Sequence, residues 1–194
     1  MLVDATDYST IYEKKSNRTC GAHGYAPNPA ARPGRARQDA LWQRNCTLVY
    51  FAPEDGVAKH VLQRLEAATR SITFMTFSCT ADDISEAIIA KIKAGLAVRG
   101  VFESQNAGGS GADFNRLKQG GVDVLEDGNC YILHHKAIVI DERTVITGSY
   151  NFTSSAERDS DESLMIVDAP NLARSYLDEF QRVYAQAQAP TRCR

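Results

Sequence analysis

The sequence predicts an α/β domain in which a mixed central β-sheet is flanked by helices on both faces. From Thr47 onward, short apolar runs typical of strands alternate with segments whose apolar residues recur at helical spacing. Such alternation is typical of layered α/β domains, because neighbouring parallel strands need a helix to cross between them. With 194 residues, 43% of them hydrophobic, the chain is long enough for one well-cored domain.

The first half of the predicted domain contains three strands and two helices. TLVYF, at residues 47–51, is a short apolar strand, and GVAKHVLQRLEAAT places its apolar residues on one helical face. SITFMTF is the second strand. The next helix begins near Asp82, carries isoleucines at every fourth position and ends at Gly95, after which AVRGVFE forms a third strand.

The second half is predicted to add a short helix, four strands and a long final helix. NAGGSG, at 106–111, lacks the lysine of a phosphate-binding P-loop and the spacing of a dinucleotide fingerprint, so we interpret it as a flexible connector near a site. FNRLKQ is the short helix and GVDVLED a strand. LHHKAIVI and TVITGSYNF form a hairpin, SLMIVD is the last strand, and the final helix runs from about Asn171 to Ala187.

Residues 1–45 are predicted to be an irregular N-terminal arm or linker that precedes the domain at 46–190. CGAHGYAPNPAARPGRARQ contains three prolines, three glycines and three arginines and shows no apolar periodicity. An alternative is that Arg32, Arg35 and Arg37 on this arm contact an anionic substrate.

Composition limits the class of protein. The net charge of −2 argues against a surface covered in positive charge for wrapping duplex nucleic acid, but leaves room for a local basic site. No apolar run approaches the roughly 18 residues of a membrane span, and the first residues do not resemble a signal peptide, so no stable membrane insertion is predicted. The compartment stays open: cytoplasmic, or periplasmic if a leader is missing. The five cysteines form no CxxC pair and no zinc-like cluster.

The hairpin at 133–152 is the most informative stretch, because it places polar groups at the mouth of two apolar strands. Asp141, Glu142, Arg143 and Thr144 separate the strands, and Ile140 is expected to face Val145 across this break. The same register would pair Lys136 with Ser149 and His134 with Asn151, since directly opposed residues lie about 5 Å apart.

This register predicts one polar patch with a defined chemistry. Side chains alternate along a strand, so His134 and Lys136 share a face with Ser149 and Asn151, while His135 points the other way and is expected to brace the site. A lysine, an amide and a hydroxyl suit the non-bridging oxygens of a phosphodiester. Histidine, which titrates near neutral pH, can act as a nucleophile or as an acid. The patch therefore predicts phosphoryl transfer through histidine.

These residues also carry a family resemblance, which extends over roughly residues 47–188. The spacing HxKxxxxD is the defining motif of the phospholipase D superfamily, and the chain resembles in particular its bacterial endonuclease-like members with a single motif. The resemblance implies an α/β/α sandwich, in agreement with the predicted strands and helices. The matching positions are His134, Lys136 and Asp141 in the motif, and Gly148, Ser149, Asn151 and Glu162 after it.

The resemblance implies a two-step mechanism without a metal or other cofactor. His134 would attack phosphorus to form a covalent phosphohistidine, while the histidine of a second motif protonates the departing oxygen, and water would then release the product. Lys136 and Asn151 would hold the charged oxygens, with Ser149 assisting. Glu162 would orient His134 through its other ring nitrogen.

Other candidate residues are assigned supporting or substrate-binding roles. Asp141 lies at the turn and off the His134 face, so we expect it to support the site rather than to react. Basic residues that could lie near substrate phosphates are Arg116, Lys118, Arg143 and Arg158.

The sequence leaves two questions open. Since only one motif is present, either two copies of the chain meet so that His134 faces His134, or the chain is the second half of a duplicated enzyme; the homodimer is the simpler hypothesis. The leading substrate is DNA or RNA. A phospholipid headgroup is the alternative, although no membrane-lying amphipathic helix supports it, and an inactive binding module is the third interpretation.

Overall fold

A seven-stranded mixed β-sheet forms the centre of the domain in the computed structural model, which describes residues 46–191. The predicted fold class is confirmed, whereas the arm predicted at 1–45 lies outside the described residues. The strands are β1 (Cys46–Ala52), β2 (Ser71–Thr76), β3 (Ala97–Phe102), β4 (Asp123–Glu126), β5 (Lys136–Ile140), β6 (Thr144–Gly148) and β7 (Glu162–Asp168). The helices are α1 (Val57–Ala67), α2 (Asp82–Lys93), α3 (Ser104–Ala107), α4 (Phe114–Gln119), α5 (Ser154–Arg158) and α6 (Pro170–Gln188).

The strand order across the sheet is β1-β7-β6-β5-β2-β3-β4. β2, β3 and β4 are parallel neighbours, as their connecting helices predict. The other pairs are antiparallel. β1 does not lie beside β2, although a helix connects them; it pairs with β7 at the opposite edge. The strand–helix alternation therefore predicts parallel pairing correctly for only part of the sheet.

Helices cover both faces of the sheet through two apolar layers. On one face, Val61 and Leu65 of α1 and Ile88 of α2 are buried against sheet residues that include Ile72 and Ile140. On the other face, α6 packs along the sheet, with Ala173, Phe180 and Val183 buried against Met75, Val101, Val139 and Val145. Removal of this apolar surface from water is the main favourable contribution to folding. Within residues 46–191, none of the helices combines the length and apolar character that a transmembrane segment requires.

The register of the β5–β6 hairpin differs by one residue from the prediction. Ile140 faces Thr144 rather than Val145, because the turn between the strands has three residues instead of four. Asp141 and Glu142 adopt left-handed backbone conformations, with φ of 54° and 56°. Non-glycine residues adopt this conformation only occasionally, so the residue types at positions 141 and 142 do not predict the three-residue turn.

The predicted pairs Lys136–Ser149 and His134–Asn151 are consequently wrong. His134 lies two residues before β5, and Ser149 and Asn151 lie beyond the end of β6. Loops at one end of the hairpin therefore present these side chains, and only Lys136 belongs to a strand.

Asp141 binds the turn that connects α1 to β2. Its carboxylate accepts hydrogen bonds from the Thr69 amide at 3.0 Å, the Thr69 hydroxyl at 2.8 Å, the Arg70 amide at 2.7 Å and the Ser71 amide at 3.0 Å. Burial alone would raise the pKa of Asp141, but these hydrogen bonds to the charged form outweigh it and lower the pKa to about 2. Asp141 thus joins the hairpin turn to the chain entering β2.

Gly148 ends β6 opposite Leu164 of β7, close to the β7 backbone. A Cβ atom at position 148 would lie 2.0 Å from the carbonyl oxygen of Ser163, far inside any non-bonded contact. The glycine therefore allows β6 and β7 to pair up to the edge of the sheet.

Gly148→Ala is expected to lower the free energy of unfolding by about 1–3 kcal/mol, because the added methyl group forces the two backbones apart. Chemical denaturation followed by circular dichroism measures the loss. Gly108→Ala is the matched control, since a Cβ at Gly108 meets nothing within 4 Å. Equal unfolding midpoints for the two variants would contradict this account of the β6–β7 contact.

Asp141→Asn is expected to destabilise the domain at neutral pH by about 1–3 kcal/mol, because it weakens the acceptor for three amides. A carboxylate with a lowered pKa stabilises the fold above its unfolded pKa of about 3.9 and loses this contribution as the pH falls through its folded pKa. The difference between wild type and variant should therefore shrink between about pH 4 and about pH 2. The control is Glu142→Gln in the same turn, which alters an exposed side chain and should leave the free energy of unfolding at neutral pH nearly unchanged.

Candidate active site

His134 lies on the loop that enters β5 and is exposed at the edge of the sheet. Its ring packs at a steep angle against the ring of Phe77, with the centroids 4.7 Å apart. Phe77 is itself held in place: its amide donates to the carbonyl of His135 at 2.9 Å, and its carbonyl accepts from the side chain of Asn106 at 2.9 Å. The imidazole is therefore supported on one side and open to solvent on another.

Lys136, the first residue of β5, is buried with only 6% of its surface exposed. Its ammonium group donates to the carbonyl oxygen of His134 at 3.1 Å and lies 4.9 Å from the centroid of the Phe77 ring. Burial lowers the pKa of Lys136, and the negative charge of Glu162 partly offsets this effect. One aromatic ring thus contacts both the imidazole and the ammonium group.

Glu162 opens β7, the position at which the sequence predicts it. Its carboxylate favours the charged form of Lys136. The hydrogen bond from His134 to Glu162 that the resemblance implies is not formed among the described residues. In this structure, Glu162 is therefore a counter-charge for Lys136 rather than a hydrogen-bonding partner of His134.

Ser149 and Asn151 lie on the loop that leaves β6. The hydroxyl oxygen of Ser149 accepts from the Ser163 amide at 3.0 Å, so its hydrogen remains available to a ligand. The side-chain oxygen of Asn151 is buried and has no hydrogen-bond partner within the described residues. An unpaired buried acceptor costs about 1–3 kcal/mol, and such costs are concentrated at functional sites.

His135 points away from His134 and contacts α6. Its Nε2 atom lies 3.2 Å from a carboxylate oxygen of Glu179, which Arg182 also binds at 2.6 Å. The hydrogen bond from Arg182 lowers the pKa of Glu179, partial burial opposes this shift, and His135 adds to it. The two adjacent histidines therefore lie in different environments.

Two residues that position His134 are absent from the sequence prediction. The first is Phe77. The second is Glu103, which is buried at 1% exposure and accepts the amide of Leu133 at 2.5 Å. Both follow parallel strands, β2 and β3, and the carboxyl ends of parallel strands are where sites of α/β proteins form. That position in the sequence is the signal that could have identified them.

The candidate phosphate-binding residues are not brought together. Arg143 lies at the far end of β5, roughly 13 Å along the strand from the site, and binds Asp168 at 2.5 Å. Arg116 lies on α4 between Asp82 at 3.0 Å and Asp113 at 3.4 Å. Both guanidinium groups therefore have partners within the protein.

The two remaining basic candidates differ in their surroundings. Lys118 lies 5.7 Å from the ring of Phe114 on α4. Arg158 ends α5, which begins shortly after Asn151, and it is exposed and forms no ion pair with any residue in 46–191. Arg158 is therefore the candidate that lies close to Asn151 in sequence and has no ion-pair partner in 46–191.

Comparison with known proteins agrees with the motif. The family model described as "Cardiolipin synthase, PLD-like domain" matches residues 61–184. A phospholipase D of Rickettsia prowazekii is 33% identical over 130 residues, which are 67% of this chain and 63% of the relative. A mitochondrial cardiolipin hydrolase of Chlamydomonas reinhardtii is 30% identical over 123 residues, 63% of this chain and 55% of the relative. The match thus spans less than two thirds of either relative.

Solved structures show the same relationship. Nuc from Salmonella typhimurium, a phospholipase D family member, superposes with a TM-score of 0.70 at 33% identity, covering 74% of this chain and 96% of Nuc. NucT from Helicobacter pylori, with a TM-score of 0.68 at 19% identity, shares the fold. His134, Lys136 and Asp141 lie within the matched range of the family model, and the chain belongs to the phospholipase D superfamily.

Proposed function

We propose that the chain is a phosphodiesterase that hydrolyses its substrate through a covalent phosphohistidine at His134. The observation that carries this proposal is the shared contact of His134 and Lys136 with Phe77, 4.7 Å and 4.9 Å from its ring centroid. An exposed imidazole beside a buried ammonium group suits a phosphodiester, because the cation offsets the negative charge that would otherwise repel a nucleophile.

In the first step, a ring nitrogen of His134 attacks phosphorus and the bond to the leaving oxygen breaks. Charge builds up on the non-bridging oxygens, where Lys136, Asn151 and the Ser149 hydroxyl can donate hydrogen bonds. The leaving oxygen takes a proton from a second histidine. The products of this step are a free alcohol and a phosphohistidine that keeps the other ester bond.

In the second step, water attacks phosphorus and the bond to His134 breaks. The second histidine, now neutral, accepts a proton from the water, so that both histidines return to their starting states. The net reaction adds one water and yields an alcohol and a phosphomonoester. Glu162 favours the charged form of Lys136.

The second histidine has to come from another motif. Among the described residues, His60 stacks on Tyr50 with the centroids 3.7 Å apart, and His135 contacts Glu179. Neither is placed to act opposite His134. The proposed source is His134 of a second copy in a homodimer, and the alternative is a preceding motif in a longer protein. The likeness to Nuc supports the first, since this domain covers 96% of that chain.

A nucleic acid strand is the proposed substrate, with the unpaired Arg158 as a phosphate contact. A phospholipid is the second candidate, and the names of two relatives support it. The relatives include a phospholipase D and a cardiolipin hydrolase.

The first experiment compares wild type with His134→Ala on labelled DNA, RNA and phospholipid vesicles in excess EDTA. Wild type is expected to cleave one of these substrates and to yield an acid-labile phosphoenzyme on rapid quenching. His134→Ala should lose activity by a factor on the order of 10⁴ or more and give no phosphoenzyme. His60→Ala, which removes a histidine outside the site, is the control and should keep both.

Three outcomes would contradict the proposal: a requirement for added Mg²⁺, activity that survives in His134→Ala, or the lack of any phosphoenzyme. The last, together with retained substrate binding, would indicate an inactive binding module. Cleavage of vesicles without cleavage of nucleic acid would replace the proposed substrate and leave the chemistry intact.

A second experiment tests Phe77 as a positioning residue. Phe77→Leu keeps an apolar side chain but removes the aromatic face beneath Lys136. The contact between the ammonium group and this ring is expected to be worth about 0.5–2 kcal/mol. The value of kcat should therefore fall roughly 2- to 30-fold with a smaller change in KM. Phe77→Tyr keeps the aromatic ring and should therefore have a kcat close to that of wild type.

The matched control is Phe114→Leu, which removes the ring of another phenylalanine–lysine pair, Phe114 with Lys118, away from the site. A loss of kcat equal to that of Phe77→Leu would show that the effect arises from general destabilisation. Equal kcat values for Phe77→Leu and wild type would exclude the positioning role.

A further inference from the structure

The loop before His134 presents two apolar side chains to solvent. Tyr131 is 85% exposed and Ile132 is 58% exposed, the highest values for large hydrophobic residues in the described part of the chain. We call this pair the Tyr131–Ile132 tip. Tyr131 precedes His134 by three residues, so their Cα atoms are at most roughly 11 Å apart. The tip is therefore a neighbour of the site.

The loop that carries the tip is anchored on both sides. The Tyr131 amide donates to the side chain of Asn129 at 2.5 Å, and the Leu133 amide donates to the buried carboxylate of Glu103 at 2.5 Å. Just upstream, the carbonyl of Gly128 accepts the amide of Thr191 at 3.0 Å. The tip is thus exposed on a loop that is held in place by hydrogen bonds. Burial of each of its side chains in an interface would stabilise that interface by about 1.5–3 kcal/mol.

We propose that the Tyr131–Ile132 tip is the surface on which a second copy of this chain docks to complete the active site. This inference rests on the proposed function, which requires a second histidine that residues 46–191 do not supply. In a two-fold contact, the same patch lies on both copies. Because each His134 must reach the same phosphorus, exposed groups close to His134 also approach the axis.

The chemistry of the tip suits this occupant. Fully buried parts of homodimer interfaces are enriched in aromatic and aliphatic side chains, and tyrosine is frequent among the residues that dominate binding energy. The tip places a tyrosine and an isoleucine next to polar site residues, which would form the rim. Docking of two tips would remove both side chains from water and keep bulk water away from the shared phosphorus.

A membrane surface is a less suitable occupant. Two side chains provide little apolar area for insertion, and the excess of 20 acidic over 13 basic residues in 46–191 repels an anionic bilayer. The other exposed large apolar residues of the described chain, Val49, Phe51 and Met165, lie on β1 and β7, where Val49 pairs with Met165. β1 is three strands from β5, roughly 14 Å away, so that surface does not adjoin His134.

The test measures mass in solution and activity on the same proteins. Light scattering and sedimentation should show a dimer for wild type, and Tyr131→Ser/Ile132→Ser should raise the dimer dissociation constant at least about tenfold. Cleavage of bis(4-nitrophenyl) phosphate should fall in parallel at low protein concentration and recover when the variant is concentrated. The control, Val49→Ser/Met165→Ser, should stay dimeric and active. Circular dichroism establishes that both variants fold.

A second arm tests the shared site. Wild type equilibrated with excess His134→Ala should lose activity per wild-type chain, because mixed dimers hold a single reactive histidine. The proposal is overturned if the tip variant remains as dimeric as wild type, if the Val49–Met165 control dissociates instead, or if wild type is an active monomer. It is also overturned if the tip variant keeps the dimer and loses only binding to phosphatidylcholine vesicles.

Failure of this inference is distinguishable from failure of the proposed function. If wild type forms a phosphohistidine but the tip substitutions leave its dimer unchanged, only the docking surface is refuted. A wild-type chain that dimerises through the tip but never forms a phosphohistidine refutes the chemistry.

Discussion

The burial of the Lys136 ammonium group at the edge of the sheet is the constraint on which the site depends. Moving a charge out of water is unfavourable, and here the compensation is the His134 carbonyl, the Phe77 ring and the charge of Glu162. The three compensating groups come from different elements: the loop before β5, the end of β2 and the start of β7. Keeping the cation in place therefore requires these parts of the sheet to meet at one point, and the nucleophile is positioned by the same contacts.

The motif HxKxxxxD joins two tasks at opposite ends of one strand. His134 and Lys136 lie at the start of β5, while Asp141 lies beyond its end and holds the turn between α1 and β2. β5 pairs with β2, so the carboxylate secures the register of the strand that leads to Phe77. The spacing between Lys136 and Asp141 in the motif therefore reflects the length of β5 as well as the chemistry of the site.

The fold class, the strands and the longer helices follow from sequence because they depend on local pattern, whereas the short helices α3 and α5 are not predicted. Apolar periodicity identifies α1, α2 and α6, and two apolar runs around a short polar break identify the hairpin. The register fails because two left-handed residues, Asp141 and Glu142, shorten the turn by one, and nothing in their identities requires this conformation. Phe77 and Glu103 are missed for another reason: their contacts with His134 and Leu133 join positions far apart in sequence. The position of β1 beside β7 is non-local in the same way.

The placement of His134 before β5, rather than within it, affects how finely the site can be adjusted. A residue inside a ladder can change place only in whole steps of about 3.3 Å, and each step also turns its side chain to the opposite face. A loop residue held by an aromatic ring and one amide hydrogen bond has no such steps, so substitutions at Phe77 or Glu103 can shift the imidazole by fractions of an ångström. Relatives could therefore retune the reach of the nucleophile for differently shaped esters while the sheet stays unchanged.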